Sequence, residues 1–158
     1  MSEAIIEKLV SEVADFLESQ GKMLVTAESC TGGLIGGYCT ERAGSSNWFF
    51  GGVISYDNSA KEKGLGVSSS TLATYGAVSA ETIAEMCAGA LRLGGDVAVA
   101  VSGVAGPGGG SKAKPVGCVY IGWQWRGREP IVERCQFSGD RHAIRQATVI
   151  RALEGVLS

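Results

Sequence analysis

The stretch D-V-A-V-A-V-S-G-V-A-G-P-G-G-G spans residues 96–110. Positions 97–101 are apolar without interruption, so neither face of this segment has a polar residue to turn towards water. A strand of that kind is covered on both sides, the mark of a sheet packed between helices. Directly after it comes a run of glycines, Gly103, Gly106, Gly108, Gly109 and Gly110, too dense to be packing filler. Glycine spent in a loop after a buried strand brings backbone close to something, and successive free N–H groups can form a nest for phosphate or carboxylate. The loop does not end in G-K-[ST], so it is not a Walker A loop, and it does not fit the dinucleotide fingerprint.

The chain on either side supports the same class. Downstream, residues 116–125 and 130–137 flank Arg126-Gly127-Arg128-Glu129 and read as a β-hairpin. Asp140 is placed to cap a last helix whose buried face carries Val149, Ile150, Leu153, Val156 and Leu157. Upstream, Ser79 caps a helix with Ile83, Met86, Cys87, Ala90 and Leu91 inward, ended by Gly94-Gly95. Residues 59–76 read as short helical turns, and 48–56, apolar and aromatic, as a strand expected at the centre of the sheet. A further strand is expected at 23–27, followed by a helix that Ser29 or Thr31 would cap. Residues 3–19 form an amphipathic helix with Ile5, Ile6, Leu9, Val13, Phe16 and Leu17 on one face and Gly21 as its stop. Helices before, between and after strands make an α/β sandwich, and the hairpin makes its sheet mixed. No repeat or linker divides the chain, so residues 1–158 are expected to be one domain.

Composition narrows the chemistry. The chain is 45% hydrophobic and 19% charged, with a net charge of −2, which argues against a broad basic face for nucleic acid. No apolar run is long enough to suggest a membrane span. Five dispersed cysteines without a C-x-x-C pair or a leader read as reduced thiols in the cytoplasm. With one histidine, His142, neither a zinc site nor an ordinary serine triad is well supplied, so chemistry without metal, cofactor or histidine is expected. The size and class are compatible with a homodimer.

Three loops follow strands, and ligands of open α/β sheets bind beyond the strands' carboxyl ends. The first, T-A-E-S-C-T-G-G at 26–33, sets Ser29 at a strand-to-helix turn beside Cys30, Thr31, Gly32 and Gly33. Free N–H groups at a helix start would hold an anion or a forming oxyanion, although Ser29 or Thr31 as a plain cap explains the same pattern. Cys30 is a rival nucleophile, because a thiol beside a helix start can be acidic. The second loop, S-Y-D-N-S-A-K at 55–61, supplies Tyr56, Asn58 and Lys61. A serine without histidine needs another base, and a desolvated lysine can serve, against the usual solvent-facing role of lysine. The glycine loop is the third. Arg141 and Arg145 lie four apart at the start of the last helix, where cations oppose the helix dipole unless an anion is bound.

In combination these segments, with A-G-S-S-x-W-F at 43–49, Y-G-A-V-S at 75–79, K-P-V-G at 114–117 and F-S-G-D-R at 137–141, resemble the CinA C-terminal domain family over nearly the whole chain. The resemblance implies a three-layer α/β/α sandwich with a mixed, mostly parallel sheet of about five strands. It implies hydrolysis of nicotinamide mononucleotide to nicotinic acid mononucleotide and ammonia, in bacterial pyridine-nucleotide salvage, by a serine nucleophile and lysine base without metal or cofactor. Carried over by motif, the nucleophile falls on Ser29 and the base on Lys61, with Tyr56 assisting. Cys30, Thr31, Gly32, Gly33, Asn58, the glycine loop at Gly103, Gly106, Gly108 and Gly109, and Arg141 and Arg145 would then hold the nucleotide. Arg145 is the favoured phosphate contact of the two arginines. A nucleotide-binding paralogue without turnover is the alternative.

Overall fold

The apolar run at 97–101 lies in the central strand of a five-stranded sheet. A computed structural model describes all residues from Met1 to Ser158. In chain order the elements are α1 (Ser2–Gln20), β1 (Leu24–Glu28), α2 (Leu34–Glu41), a short 3-10 turn (Ser45–Asn47), β2 (Phe49–Ile54), α3 (Asn58–Leu65), α4 (Ser69–Tyr75), α5 (Ala80–Leu93), β3 (Val97–Gly103), β4 (Cys118–Trp125), β5 (Ile131–Gln136) and α6 (Arg141–Val156).

The strands are ordered β2-β1-β3-β4-β5. β1 pairs in parallel with β2 and β3, whereas β3–β4 and β4–β5 are antiparallel. Pairings therefore divide evenly between the two kinds, although every strand except β4 runs the same way. Val97, Val99 and Val101 of β3 face a core shared with α1 and α6, while Ala98 and Ala100 face a smaller core under α5. Side chains alternate between faces of a strand, so one apolar run serves both layers. Close packing on the sheet needs missing side chains. A Cβ at Gly122 of β4 would strike Ile83 of α5, and one at Gly155 of α6 would strike the Trp123 ring.

Local signals set most helix ends. Gly21 takes a left-handed conformation, φ 64°, and returns its N–H to the α1 carbonyls. Ser79 accepts from Thr82 N–H and Asp140 from Ala143 N–H, both as expected for caps. Three expectations fail. β2 is an edge strand, because the long α2 connection returns it to the outer side of β1. Ile5 is exposed, and the inward face of α1 is instead Ile6, Val10, Val13, Ala14 and Leu17. Neither Ser29 nor Thr31 caps α2; Gly33 stands at that position without a side-chain bond.

Because β1, β2, β3 and β5 share a direction, the segments that follow them leave the sheet at one edge. The β1–α2 turn, the β2–α3 turn, the glycine loop after β3 and the first turn of α6 therefore gather in one place.

Candidate active site

Ser29 directly follows β1 and extends its ladder, donating its N–H to the Val101 carbonyl at 3.1 Å. The residue is 7% exposed. Lys61, in the first turn of α3, reaches back over the β2–α3 turn so that Nζ lies 3.1 Å from Ser29 Oγ. The same nitrogen donates to the Ser55 carbonyl at 2.8 Å and the Tyr56 carbonyl at 3.1 Å. Lys61 is 1% exposed and forms no ion pair. Burial pulls its pKa below the ordinary lysine value, and the nearby Asp57 charge opposes this only in part. A lysine on a solvated helix face is thus not what the fold builds.

The turn 29–33 is organised by a residue that motif reasoning passed over. Glu28 is 2% exposed, and its carboxyl group accepts from Thr31 Oγ1 at 2.6 Å, Ile35 N–H at 2.9 Å and Gly36 N–H at 3.0 Å. It occupies the anion-binding end of α2 that the expected oxyanion donors would have used. Within the turn 29–33, the N–H groups left without a partner belong to Cys30, Thr31 and Gly33. The signal available in the sequence was an acid placed at the end of a buried strand, where a charge persists only if it is fully hydrogen-bonded. Ser55 was also missed; it is fully buried, and its N–H donates to the Glu28 carbonyl at 2.8 Å, holding the two turns together.

Of the nominated residues, Cys30 and Thr31 contribute only backbone to this site. The Cys30 side chain is in the core, where burial pushes its thiol up to about 12, so a reactive thiolate is disfavoured. The Thr31 hydroxyl is spent on Glu28. Gly32 and Gly33 both have positive φ, 58° and 104°, which lets the turn close. Tyr56 is 61% exposed, so it is not core filler, and its hydroxyl accepts from Arg141 Nη2 at 3.1 Å. Arg141 Nη1 donates to the Gly106 carbonyl at 2.7 Å, which joins the glycine loop to the rest. Arg145 turns the other way, donating from Nε to the Cys30 carbonyl at 3.2 Å and from Nη2 to the Thr31 carbonyl at 3.0 Å. Gly103 has a packing reason, since a Cβ there would strike Val119. Gly108 and Gly109 are exposed at the loop tip, and Asn58 is exposed with no hydrogen bond from its side chain. None of these last three is drawn onto Ser29.

Two clefts flank the centre. One of ≈ 430 Å³ lies between the glycine loop and the start of α6, lined by Ala105, Pro107, Val116, Asp140, Arg141 and His142. The larger, ≈ 890 Å³, runs between α1 and α2 and meets the nucleophile turn only from behind, at Gly32, Gly33 and Arg145. Neither cleft is lined by Ser29 or Lys61, so size alone does not mark the larger one as the place of chemistry. No group of three His, Cys, Asp or Glu side chains converges as metal ligands would. No helix is long and apolar enough to cross a membrane.

Comparison with known proteins assigns the chain to a family. Residues 6–158 match the family model described as the CinA C-terminal domain. The chain is 47% identical to a protein of Enterobacter agglomerans named nicotinamide-nucleotide amidohydrolase PncC, over 99% of this chain and 96% of that one. It is 43% identical to the protein of the same name from Escherichia coli K12, over 98% and 94%. Among solved structures, competence/damage inducible protein CihA from Agrobacterium tumefaciens superposes with a TM-score of 0.93 at 46% identity, covering 97% and 94% of the two chains. The chain belongs to the CinA C-terminal domain family.

Proposed function

We propose that this chain hydrolyses the carboxamide of nicotinamide mononucleotide to nicotinic acid mononucleotide and ammonia, with Ser29 as nucleophile and Lys61 as base. The substrate class rests on the full-length relatives named nicotinamide-nucleotide amidohydrolase. The observation that carries the chemistry is the hydrogen-bond shell of Lys61 Nζ. Carbonyl oxygens can only accept, so the contacts to Ser55 and Tyr56 each take an N–H. A neutral amine has two N–H groups and one lone pair. With both N–H groups committed, the lone pair is directed at Ser29 Oγ, ready to accept its proton.

Ser29 Oγ attacks the carboxamide carbon while its proton passes to Lys61. Negative charge collects on the carboxamide oxygen, where the unpartnered N–H groups of Cys30, Thr31 and Gly33 are available. A single such donor is typically worth about 10²–10³ in rate. Protonated Lys61, or the Tyr56 hydroxyl, passes a proton to the leaving nitrogen, the C–N bond breaks and ammonia departs. Water then attacks the resulting ester, with neutral Lys61 again taking the proton. The positive pyridinium ring withdraws electrons from the carboxamide and lowers the demand on the base. Arg141 and the cleft beside the glycine loop are the best-placed anion site for the ribose phosphate.

The test is direct. Purified protein incubated with nicotinamide mononucleotide is expected to release ammonia and nicotinic acid mononucleotide in equal amounts. Binding without release of ammonia would favour a nucleotide-binding module over an enzyme.

A further inference from the structure

Arg145 projects from the first turns of α6, where the helix dipole disfavours a cation. It has no carboxylate partner, since the ion pairs of the chain all involve Arg151. Its guanidinium is instead shared between two consecutive carbonyls of the nucleophile turn, Cys30 at 3.2 Å and Thr31 at 3.0 Å. Neither the helix nor an ion pair accounts for a half-buried arginine in that place.

The peptide units it grips explain more. The one cis bond in the chain is Gly106-Pro107, so the bonds after Cys30 and Thr31 are trans. In a trans unit the C=O and the following N–H point in opposite directions. With the Cys30 carbonyl turned to Arg145, the Thr31 N–H must point away from it. That N–H is one of the three that the 29–33 turn leaves unpartnered. The next unit behaves differently, because Gly32 N–H closes the turn onto the Ser29 carbonyl at 3.0 Å. A donor at the carbonyl end of a peptide polarises the unit and strengthens its N–H as a donor, by about 10–30% per bond in condensed-phase estimates.

We infer that Arg145 is a positioning residue for the oxyanion site, holding the Cys30–Thr31 peptide so that the Thr31 N–H faces the reacting oxygen. This rests on the reading of Ser29 as nucleophile. Charge balance tracks the reaction: at rest the guanidinium hydrogen-bonds only to backbone carbonyls, with no carboxylate in contact, and it gains an anionic counterpart through the peptide once the tetrahedral oxyanion forms. Glu28 fixes the same turn from its other end, through Thr31 Oγ1 and the α2 N–H groups. Arg145 is therefore removed from the role of phosphate contact.

Arg145→Ala and Arg145→Lys separate these roles. For nicotinamide mononucleotide, kcat is expected to fall by about 10- to 100-fold in the alanine variant, short of the 10²–10³ for a lost direct donor. KM should stay within about threefold, and the preference for mononucleotide over riboside should be unchanged, since a positioning residue does not touch the phosphate. Guanidinium ion, well below denaturing concentration, should restore part of kcat in the alanine variant. If that variant fails to fold, the lysine variant carries the test, because a shorter side chain with one nitrogen cannot reproduce the planar Nε–Nη2 fork on the two carbonyls, and kcat should fall there too. A raised KM with kcat retained and the phosphate preference lost would overturn the proposal, and so would an unchanged kcat. A substrate-free readout distinguishes this from failure of the nucleotide reading. A small alkyl fluorophosphonate is attacked by Ser29 Oγ at phosphorus, fluoride leaves and the serine proton goes to Lys61, with the phosphoryl oxygen in the oxyanion site. Slower labelling of the variant than of the unaltered protein supports the proposal even without turnover. Equal labelling rates overturn it alone. Unaltered protein that neither labels nor releases ammonia overturns the Ser29 reading and this proposal with it.

Discussion

Lys61 Nζ stands 3.1 Å from Ser29 Oγ, while its other two contacts are carbonyl oxygens and no carboxylate pairs with it. Burial lowers the pKa of this lysine and the nearby Asp57 charge opposes that only in part, so the neutral amine is easier to reach than in an exposed lysine. Lys61→Arg keeps a cation but cannot be deprotonated in any ordinary pH range. That variant is expected to be nearly inactive for ammonia release, and a substantial rate would remove Lys61 from the role of base.

The same burial gives activity a direction with pH. Protonated Lys61 has no lone pair for Ser29, so kcat/KM should rise with pH through the lowered pKa of this lysine and level off above it. The contribution of Lys61 to stability should move in the same sense. Between the lowered folded pKa and the ordinary value of 10.5, the unfolded chain binds more protons, so unfolding becomes harder as pH rises. Below the folded pKa both states are protonated and the destabilisation is constant. Urea titrations across this interval should isolate this contribution as the difference between the unaltered protein and Lys61→Met, since the cysteines whose thiols burial pushes up to about 12 pull the other way in both proteins.

Ser29→Ala should abolish turnover while changing unfolding free energy by about 1 kcal/mol or less, the scale of one hydrogen bond. Cys30→Ala should keep most of the activity, because its side chain belongs to the core and its thiol is pushed up to about 12 by burial. Ammonia release measured on both variants settles the contest between hydroxyl and thiol. An active Ser29→Ala beside an inactive Cys30→Ala would reverse the assignment.

Glu28→Gln exchanges one acceptor oxygen for an NH₂ group facing a helix N–H or the Thr31 hydroxyl. A buried donor set against a donor typically costs about 1–3 kcal/mol. Denaturation should report that loss, and kcat should fall with it because the turn carrying Ser29 shifts. Unchanged stability would show that the carboxyl group does not hold the α2 start.

Particular residues mark where the sequence could be read and where it could not. Gly21, Ser79 and Asp140 announce helix ends because a cap acts on backbone within a few residues. The alternation of valine and alanine in 97–101 announces a strand with two covered faces. Edge against centre is a different kind of question. β2 is as apolar as an inner strand, yet its place depends on which segment pairs beside β1, and that is decided by β3, some forty positions further along. Ser29 looked like a cap because hydroxyls at strand-to-helix turns usually are. Glu28 displaced it, since a buried carboxyl group must find donors and the α2 start lay within reach. The partners of Arg145 lie 115 and 114 residues away, beyond any local pattern.

Selection for a nucleotide should be read by Arg141. Its guanidinium lies exposed at the mouth of the ≈ 430 Å³ cleft, tied to the Gly106 carbonyl and the Tyr56 hydroxyl, with the glycine loop alongside. Removing the substrate phosphate leaves these donors without their anion, so nicotinamide riboside and free nicotinamide should have far lower kcat/KM than the mononucleotide. Arg141→Ala should shrink that preference by about 1.5–3 kcal/mol, the range for a hydrogen bond to a charged group. Because Arg141 also holds Tyr56, the variant needs a control that disturbs the phenol alone. Tyr56→Phe supplies it: kcat should drop if the hydroxyl hands a proton to the leaving nitrogen, while the ratio between mononucleotide and riboside stays put. A Tyr56→Phe variant that also loses the preference would assign the effect of Arg141 to the displaced tyrosine. Equal kcat/KM for riboside and mononucleotide in the unaltered protein would end the phosphate-site reading, whatever the variants do.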